Sequence, residues 1–386
     1  MNKLDELIAL LCPNGVKYQE LAHAVSIERG KRVVREQLDE TGLYPVYQNS
    51  LTPLGYHSQW NYPAETTFLI VAGAAGEIGY STCNFWAADD CFPLVCCENL
   101  SSRYLYHVML WLQPTILSRV RKASIPRLSR DSIERLTIPV PPLEIQREIV
   151  RILDTFTELT AELTAELTAR KQQYAYYRDN LLTFRVDITR KSLDELCTIS
   201  AAGDAPKDAL SLTKTAEYQI PVISNGIGEN AFYGYTDKPK ITEPAVTVAA
   251  RGTIGYAEYR DYPYYPIIRL LSVIPKNTAV LATKYLYYCM QGKKYNVPLG
   301  GIPQLTAPEL KKVVIPVPPL PVQQRIVTVL DNFDAICSDL NIGLPAEIEA
   351  RKKQYEFYRD QLLTFAAQDE IVLTDRQTDR QTDRRV

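Results

Sequence analysis

Apolar side chains divide the chain into two kinds of segment. From Ile145 onward, Ile149, Ile152, Leu153, Phe156, Leu159, Leu163 and Leu167 follow at three- and four-residue steps, the period of one helix face. Tyr174, Tyr177, Leu181 and Phe184 continue the stripe. The spacing predicts a helix of about 40 residues, roughly 60 Å long at 1.5 Å per residue, opening after the proline-rich stretch Ile138 to Pro142. Such a length exceeds the usual globular helix and predicts a coiled-coil element. The segments ahead of it are rich in Gly, Pro and Tyr. Their short apolar runs, such as Thr67 to Ala72 and Ala245 to Ala250, predict strands between turns.

The helical pattern occurs twice. Ile138 to Phe156 (IPVPPLEIQREIVRILDTF) returns as Ile315 to Phe333 (IPVPPLPVQQRIVTVLDNF), identical at 12 of 19 positions. Arg170 to Phe184 (RKQQYAYYRDNLLTF) returns as Arg351 to Phe365 (RKKQYEFYRDQLLTF), identical at 11 of 15. The first pair is offset by 177 residues and the second by 181, so the second copy is four residues longer between its blocks. It also carries Gly343, Leu344 and Pro345 in its middle, where Gly weakens and Pro interrupts a helix, predicting a break. Upstream only landmarks repeat: Pro45 to Asn49 with Pro221 to Asn225, Gly76 to Tyr80 with Gly252 to Tyr256, and Ile125 to Leu128 with Ile302 to Leu305. The segment Leu4 to Leu11 precedes the first strand-rich region much as Arg178 to Phe184 precedes the second. It reads as a displaced helical remnant that makes the symmetry nearly circular.

Composition narrows the chemistry. The 386 residues suffice for two domains, and 46% hydrophobic content can build cores. A net charge of -2 leaves no global basic signature, so any nucleic-acid contact must come from local patches. The eight cysteines form no C-x-x-C pair and the three histidines no H-x-x-x-H, which favours free buried thiols over zinc. Met1 to Leu11, with Asp5 and Glu6, fits neither a cationic leader nor a membrane span; a soluble cytoplasmic chain is expected. The tail Thr374 to Val386 (TDRQTDRQTDRRV) lacks a packing face and is expected to be disordered.

A strand-rich region, I-P-V-P-P-L, Q-x-x-I-V and a long helix ending R-K-x-Q-Y-x-x-Y-R-D-x-L-L-x-F, present twice, resembles the specificity subunit of type I restriction-modification systems over nearly the whole chain. The resemblance implies a non-catalytic recognition subunit. Its two target-recognition domains would each read half of a bipartite double-stranded DNA site, and its helices would dock two methyltransferase subunits. ATP-dependent restriction subunits would join the complex, and S-adenosylmethionine would sit on the methyltransferase partner, none on this chain. Thr160-Ala161-Glu162-Leu163 and Thr164-Ala165-Glu166-Leu167 resemble the tandem TAEL element of one branch, where copy number is associated with the gap between half-sites. Four helical residues add about 6 Å, near two base-pair rises of about 3.4 Å. The same leucines also form a coiled-coil stripe.

The fold expected is α+β: two similar α/β target-recognition domains separated by two long helices packed as an antiparallel coiled coil with pseudo-twofold symmetry. The expected boundaries are a helical segment at 1–17, recognition domains at 18–137 and 185–314, helical spacers at 138–184 and 315–365, and a charged tail at 366–386. For phosphate contact the basic candidates are Arg119, Arg121, Lys122, Arg127 and Arg130 around Ile125-Pro126. A smaller group, Arg29, Lys31, Arg32 and Arg35, is flanked by Glu28 and Glu36. In the second half Lys293 and Lys294 precede Gly300-Gly301 and Gln304. For base edges the candidates are Gln48, Asn49, Ser224, Asn225 and Arg251, since Asn and Gln can pair adenine and Arg guanine bidentately. Turn residues bonding their own backbone are the competing reading. Leu159, Leu163, Leu167, Tyr174, Tyr177, Tyr355 and Tyr358 are the candidates for spacer packing and partner docking.

Catalytic readings find little support. No N-P-P-Y or D-P-P-Y motif with a Gly-rich cofactor loop marks a methyltransferase, and no G-x-x-x-x-G-K-[ST] marks an ATPase. Glu347 and Glu349 beside Lys352 suit helix ion pairs better than a nuclease. The remaining rival is a protein-binding coiled-coil adapter without DNA specificity.

Overall fold

The computed structural model describes residues 3–39, 41–122, 124–184, 188–206, 208–295, 303–338 and 342–367; the TDRQ tail and Gly300-Gly301 lie outside the described residues. The chain divides into two compact units. The first is built from residues up to Leu163 and from Glu347 onward, the second from Thr164 to Ala346. Residues of both expected spacers therefore fall in each unit, 138–163 and 347–365 in the first and 164–184 and 315–346 in the second.

The first unit runs α1 (Lys3–Leu11), β1 (Tyr18–Glu20), α2 (Leu21–Ala24), β2 (Val25–Ile27), β3 (Tyr44–Tyr47), β4 (Gly55–His57), β5 (Thr66–Ile70), β6 (Ile78–Ser81), β7 (Trp86–Ala87), β8 (Cys91–Cys96), α3 (Ser102–Ser118), α4 (Arg130–Glu134), β9 (Thr137–Pro139) and then α5 (Leu143–Leu182), which continues into the second unit. There follow β10 (Arg190–Ser192), α6 (Leu193–Leu196), β11 (Cys197–Ala201), β12 (Ile220–Ile223), β13 (Phe232–Thr236), β14 (Ala245–Val248), β15 (Ala257–Arg260), β16 (Tyr265–Pro266), β17 (Leu271–Pro275), α7 (Thr283–Met290), α8 (Ala307–Lys311), β18 (Val314–Pro316), α9 (Leu320–Ser338) and α10 (Leu344–Leu363).

Both units have one topology. Sheets β2-β8-β5-β6, β4-β3-β7 and β1-β9 of the first correspond to β11-β17-β14-β15, β13-β12-β16 and β10-β18 of the second. All pairings are antiparallel except β3 with β7 and β12 with β16. The central strands β5 and β14 are buried at every position, as their apolar runs require.

The 40-residue α5 matches the length its apolar period predicts. Its C-terminal half carries Leu163 and Leu167, half-buried like Leu159. The second copy is in two pieces, α9 and α10, with Pro345 in the first turn of α10, where its missing N–H costs nothing.

In each unit the start of one long helix and the end of the other pack together. Phe156 stacks on Tyr358 at 5.2 Å between ring centroids in the first unit, and Phe333 on Tyr177 at 5.5 Å in the second. These are the same pair of repeat positions, each supplied by the other copy. In the first unit Phe365 meets Tyr18, whose hydroxyl donates to the Phe365 carbonyl at 3.0 Å. Tyr18 pairs with Pro139, just before α5, so the two helices run antiparallel there. Val16 N–H donates to the Ala366 carbonyl at 2.9 Å, bringing described residues from opposite ends of the chain together.

A buried glutamine locks each junction. Gln146 accepts from Ser101 N–H at 2.8 Å and donates to the carbonyls of Asn99 and Pro141 at 2.8 and 2.7 Å. Gln323 accepts from Ala282 N–H at 2.9 Å and donates to Val280 and Pro318, both at 2.8 Å. Both are fully buried, and each satisfies the amide that opens α3 or α7, a carbonyl just ahead of that helix and one carbonyl of the proline turn. Tyr104 and Tyr285 repeat the theme, donating to the carbonyls of Pro139 and Pro316 at 3.2 and 3.1 Å.

α1 packs on the first unit, with Leu4 3% exposed within the core that holds Ile145 and Ile149; Leu362 to Phe365 take the place there that Leu181 to Phe184 hold in the second unit, so α1 is an added helix and not a displaced remnant. Lys3 Nζ lies 2.9 Å from Glu148, whose own side chain is 4% exposed. Of the cysteines, Cys91, Cys197 and Cys337 are buried, but Cys83 and Cys97 are exposed, so buried thiols do not describe them all; every one is free. Among the described residues no helix is long and apolar enough to cross a membrane.

Replacing Gln146 or Gln323 by Ala strands three buried polar partners, and each variant is expected to lose about 3 kcal/mol in denaturant unfolding. Hydrogen bonds from Arg151 and Lys3 hold the Glu148 pKa down at about 2. Its contribution is therefore complete above its ordinary value of 4.5 and is lost as pH falls toward about 2. Hydrogen exchange of α1 should accelerate across that window, and in Glu148→Gln this pH dependence should vanish.

Candidate nucleic-acid interface

Three landmarks that repeat along the sequence converge in space in each unit. In the first, the loop after β5 turns through Gly73 (φ 81°) and Gly76 (φ 95°), conformations that favour glycine. Gly73 N–H donates to Pro126 at 3.2 Å, Leu128 N–H to Val71 at 2.8 Å, and Ala74 N–H to the Asn49 carbonyl at 2.9 Å. In the second unit the loop after β14 turns through Gly252 (φ 69°) and Gly255 (φ 85°). Leu305 N–H donates to Ala250 at 2.9 Å, and Ala250 N–H to the Asn225 side-chain oxygen at 2.8 Å.

These bonds correct the glycine register. Gly76 N–H donates to Ile70 and Gly255 N–H to Ala249, each closing the loop at the same point of its hairpin. Gly73 and Gly76 therefore correspond to Gly252 and Gly255. Aligning Gly76 to Tyr80 with Gly252 to Tyr256 is three residues out.

The cluster gathers some of the basic candidates and leaves others apart. Arg29, Arg127 and Arg130 line one cavity of about 400 Å³ with Asp89 and Asp90. Arg127 pairs through its backbone with Arg121, and Arg121 and Lys122 are exposed. Arg119 is turned to the Ser132 carbonyl at 2.7 Å, and Arg130 bridges Glu134 at 2.7 Å. Lys31 and Arg32 are exposed, with Lys31 N–H bonded to Ala87, outside that cavity; Arg35 lines a separate one. Gln48 is half-buried and Asn49 exposed, immediately beside the glycine loop.

The second unit places different chemistry in the same frame. Arg251 donates to the Gln304 side-chain oxygen through Nε and Nη2 at 3.1 and 2.8 Å, and Arg269 reaches the same oxygen at 3.1 Å. One acceptor thus orients two guanidiniums. Sheet register equates Arg269 with Asp90 and Gln304 with Arg127, so the charge pattern of the two clusters differs position by position. Ile268 and Arg269 both have positive φ, 54° and 60°, a strained conformation for a β-branched residue.

Asn225 is spent on this turn: its amide donates to the Ile268 carbonyl while its oxygen takes the Ala250 amide. Ser224 likewise bonds Ala231. For these two the turn-holding role is the one observed. Lys293 points to the Val314 carbonyl at 3.3 Å, and burial lowers its pKa; Lys294 is exposed.

The docking tyrosines seat helix ends within the chain. Tyr174 donates to Gln291 at 2.6 Å, and Tyr355 lies 2.9 Å from His107 Nδ1. His107 Nε2 is 2.8 Å from Asp154, which also holds Arg103 at 2.8 Å. Burial lowers the His107 pKa, and its Nε2–H donates to Asp154, whose carboxylate oxygen can only accept. The second unit repeats this with Lys284 and Tyr288 on Asp331. Our sequence reading missed these groups, yet the echo of Arg103-Tyr104-Leu105-Tyr106 in Lys284-Tyr285-Leu286-Tyr287 marks them. Asp89, Asp90 and Arg269 carry no such echo.

Residues 13–170 and 185–350 each match the family described as the type I restriction modification DNA specificity domain. The chain belongs to this family of DNA specificity subunits. A protein of Mycoplasma pneumoniae named as a type I specificity subunit is 30% identical to this specificity subunit over 373 residues, 92% of this chain and 99% of that one. The EcoR124I/EcoR124II specificity subunit of Escherichia coli is 32% identical over 345 residues, covering 79% of this chain and 84% of its own. The crystal structure of an S subunit from M. genitalium superposes with a TM-score of 0.61 at 14% identity, covering 90% of this chain and 96% of that one, a likeness of fold.

Asn225→Ala in this specificity subunit removes the side-chain bonds to the Ala250 amide and the Ile268 carbonyl. The Ala250 amide is expected to exchange about tenfold faster, equivalent to ~1.4 kcal/mol, with the first unit's loop unchanged.

Proposed function

We propose that this specificity subunit reads a bipartite, asymmetric double-stranded DNA target, one half through each loop cluster. The observation that carries the reading is the pairing of one frame with two chemistries. Sheets of one strand order and corresponding landmark loops hold Arg127 and Arg130 beside Asp89 and Asp90 in one unit, but Arg251, Gln304 and Arg269 in the other. Equal frames serve a common docking geometry, whereas unequal side chains serve unequal half-sites.

In this reading the chain itself catalyses nothing. Two methyltransferase subunits dock on the helices and carry S-adenosylmethionine, and ATP-dependent restriction subunits complete the assembly. The TAEL turns of α5 set the gap between half-sites.

Mapping methylated adenines in cells with and without the chain is expected to give one split motif with unlike halves, whose gap grows by about two base pairs when one further TAEL is inserted. A single unsplit motif, or an unaltered gap, refutes the respective part. In the methyltransferase complex, Arg127→Ala is expected to lower the slope of log affinity against log salt by about 0.9 and to weaken all sequences alike. Arg251→Ala is expected to cost about 1–3 kcal/mol of discrimination at the second half-site alone. Binding without salt dependence or sequence preference points instead to a protein adapter.

A further inference from the structure

The second unit carries an open groove of about 830 Å³, lined by Tyr176, Tyr177 and Phe184 at the end of α5 and by Val322, Arg325 and Val329 on α9. Its side chains are unusually apolar for a surface: Tyr176 is 67% exposed, Val329 41% and Val322 39%.

The repeat shows what such a groove holds. By the offset of 177 residues, Val322, Arg325 and Val329 correspond to Ile145, Glu148 and Ile152 of the first unit. There α1 covers the α5 side of the groove, with Leu4 buried in the core containing Ile145 and Ile149 and Lys3 paired to Glu148 at 2.9 Å, while Phe357 and Tyr358, the counterparts of Tyr176 and Tyr177, stay 58% and 41% exposed. Accordingly Ile145 is fully buried and Glu148 is 4% exposed. In the second unit α5 ends at Leu182 and β10 begins at Arg190, and no described helix stands in the place of α1.

We propose that this groove receives an amphipathic helix of a partner protein, one that presents a carboxylate to Arg325. The shape follows from α1, a helix of nine residues seated over the counterparts of Val322 and Arg325. The charge follows from the substitution between copies: Glu148 takes a lysine, and Arg325 in its place takes an acid. A second copy of this chain offering its own α1 would set Lys3 against Arg325, two like charges, which selects against that occupant. The inference deepens the assembly reading above, on which it rests for the existence of a partner. It makes the assembly unequal, because Ile145 and Glu148, the first unit's counterparts of Val322 and Arg325, are already covered by the chain's own α1.

The test uses the full chain and two helix-stapled, fluorescent peptides spanning Lys3 to Leu11, one native and one with Lys3→Glu. Anisotropy is expected to show the Lys3→Glu peptide binding about tenfold more tightly than the native one. Arg325→Glu should reverse that preference, and Val329→Asp should abolish binding without altering the melting temperature, since both sites are on the surface. Absence of binding, equal binding of the two peptides, or indifference to Val329→Asp overturns the proposal. So does a concentration-dependent dimer that Val329→Asp dissolves, which would make a second copy the occupant. In a second arm, a methyltransferase subunit from the same genome is titrated onto the chain. Weakening by Arg325→Glu of about tenfold supports the groove, and equal binding of wild type and variant overturns it while leaving DNA recognition intact. Failure of wild type to bind any methyltransferase subunit tells against the assembly reading itself, and the peptide arm still decides whether the groove accepts an acidic helix.

Discussion

Seating the last turns of one long helix against the first turns of another is the interaction on which both units depend. Leu363 and Phe365 close the core of the first unit, and Leu181 and Phe184 close that of the second. The aromatic stack, the carboxylate with its cation, and the buried glutamine recur at each junction. A junction made twice from the same residues must keep both sets of partners, which explains why the helical blocks repeat nearly verbatim. Among the described residues, the stack and the glutamine bonds are made without side chains of the loop clusters, which are free to differ.

The parts of the fold legible in the sequence were those in which many residues obey one period. Eleven apolar positions along α5 reinforce each other, so its length and start could be read directly. The break before α10 was equally plain, because a proline inside a helix has few accommodations. Strands were read where apolar runs are fully buried, as in β5 and β14, although the runs extend past the strand ends into the glycine loops. Short motifs were less secure. Gly-Thr-Ile-Gly-Tyr resembles Gly-Glu-Ile-Gly-Tyr letter by letter, yet backbone bonding places its first glycine opposite Gly73.

For the loop clusters the sequence showed where to look but not what each side chain does. The landmarks around Asn49, Gly73 and Ile125, and their counterparts, do meet, as three segments far apart in sequence. Whether an asparagine faces outward or holds its own loop depends on a neighbour such as Ile268, forty-three residues away along the chain. The partners Asp89, Asp90 and Arg269 sit on irregular backbone, where no period announces them. The two exposed cysteines illustrate the same point, since a residue type gives only a tendency toward burial.

The two units also differ in how their residues are strung along the chain. The second is one continuous stretch, but the first needs residues from both ends, joined through contacts such as Tyr18 with Phe365 across 347 positions. During synthesis from the N-terminus, the second unit can complete its core as soon as its own residues have emerged. The first must wait, with its apolar seat for Leu363 uncovered, until nearly the last helix has been made. During that interval the uncovered seat is open to other chains, so chaperone demand and aggregation on slowed translation should concentrate on the half that was made first.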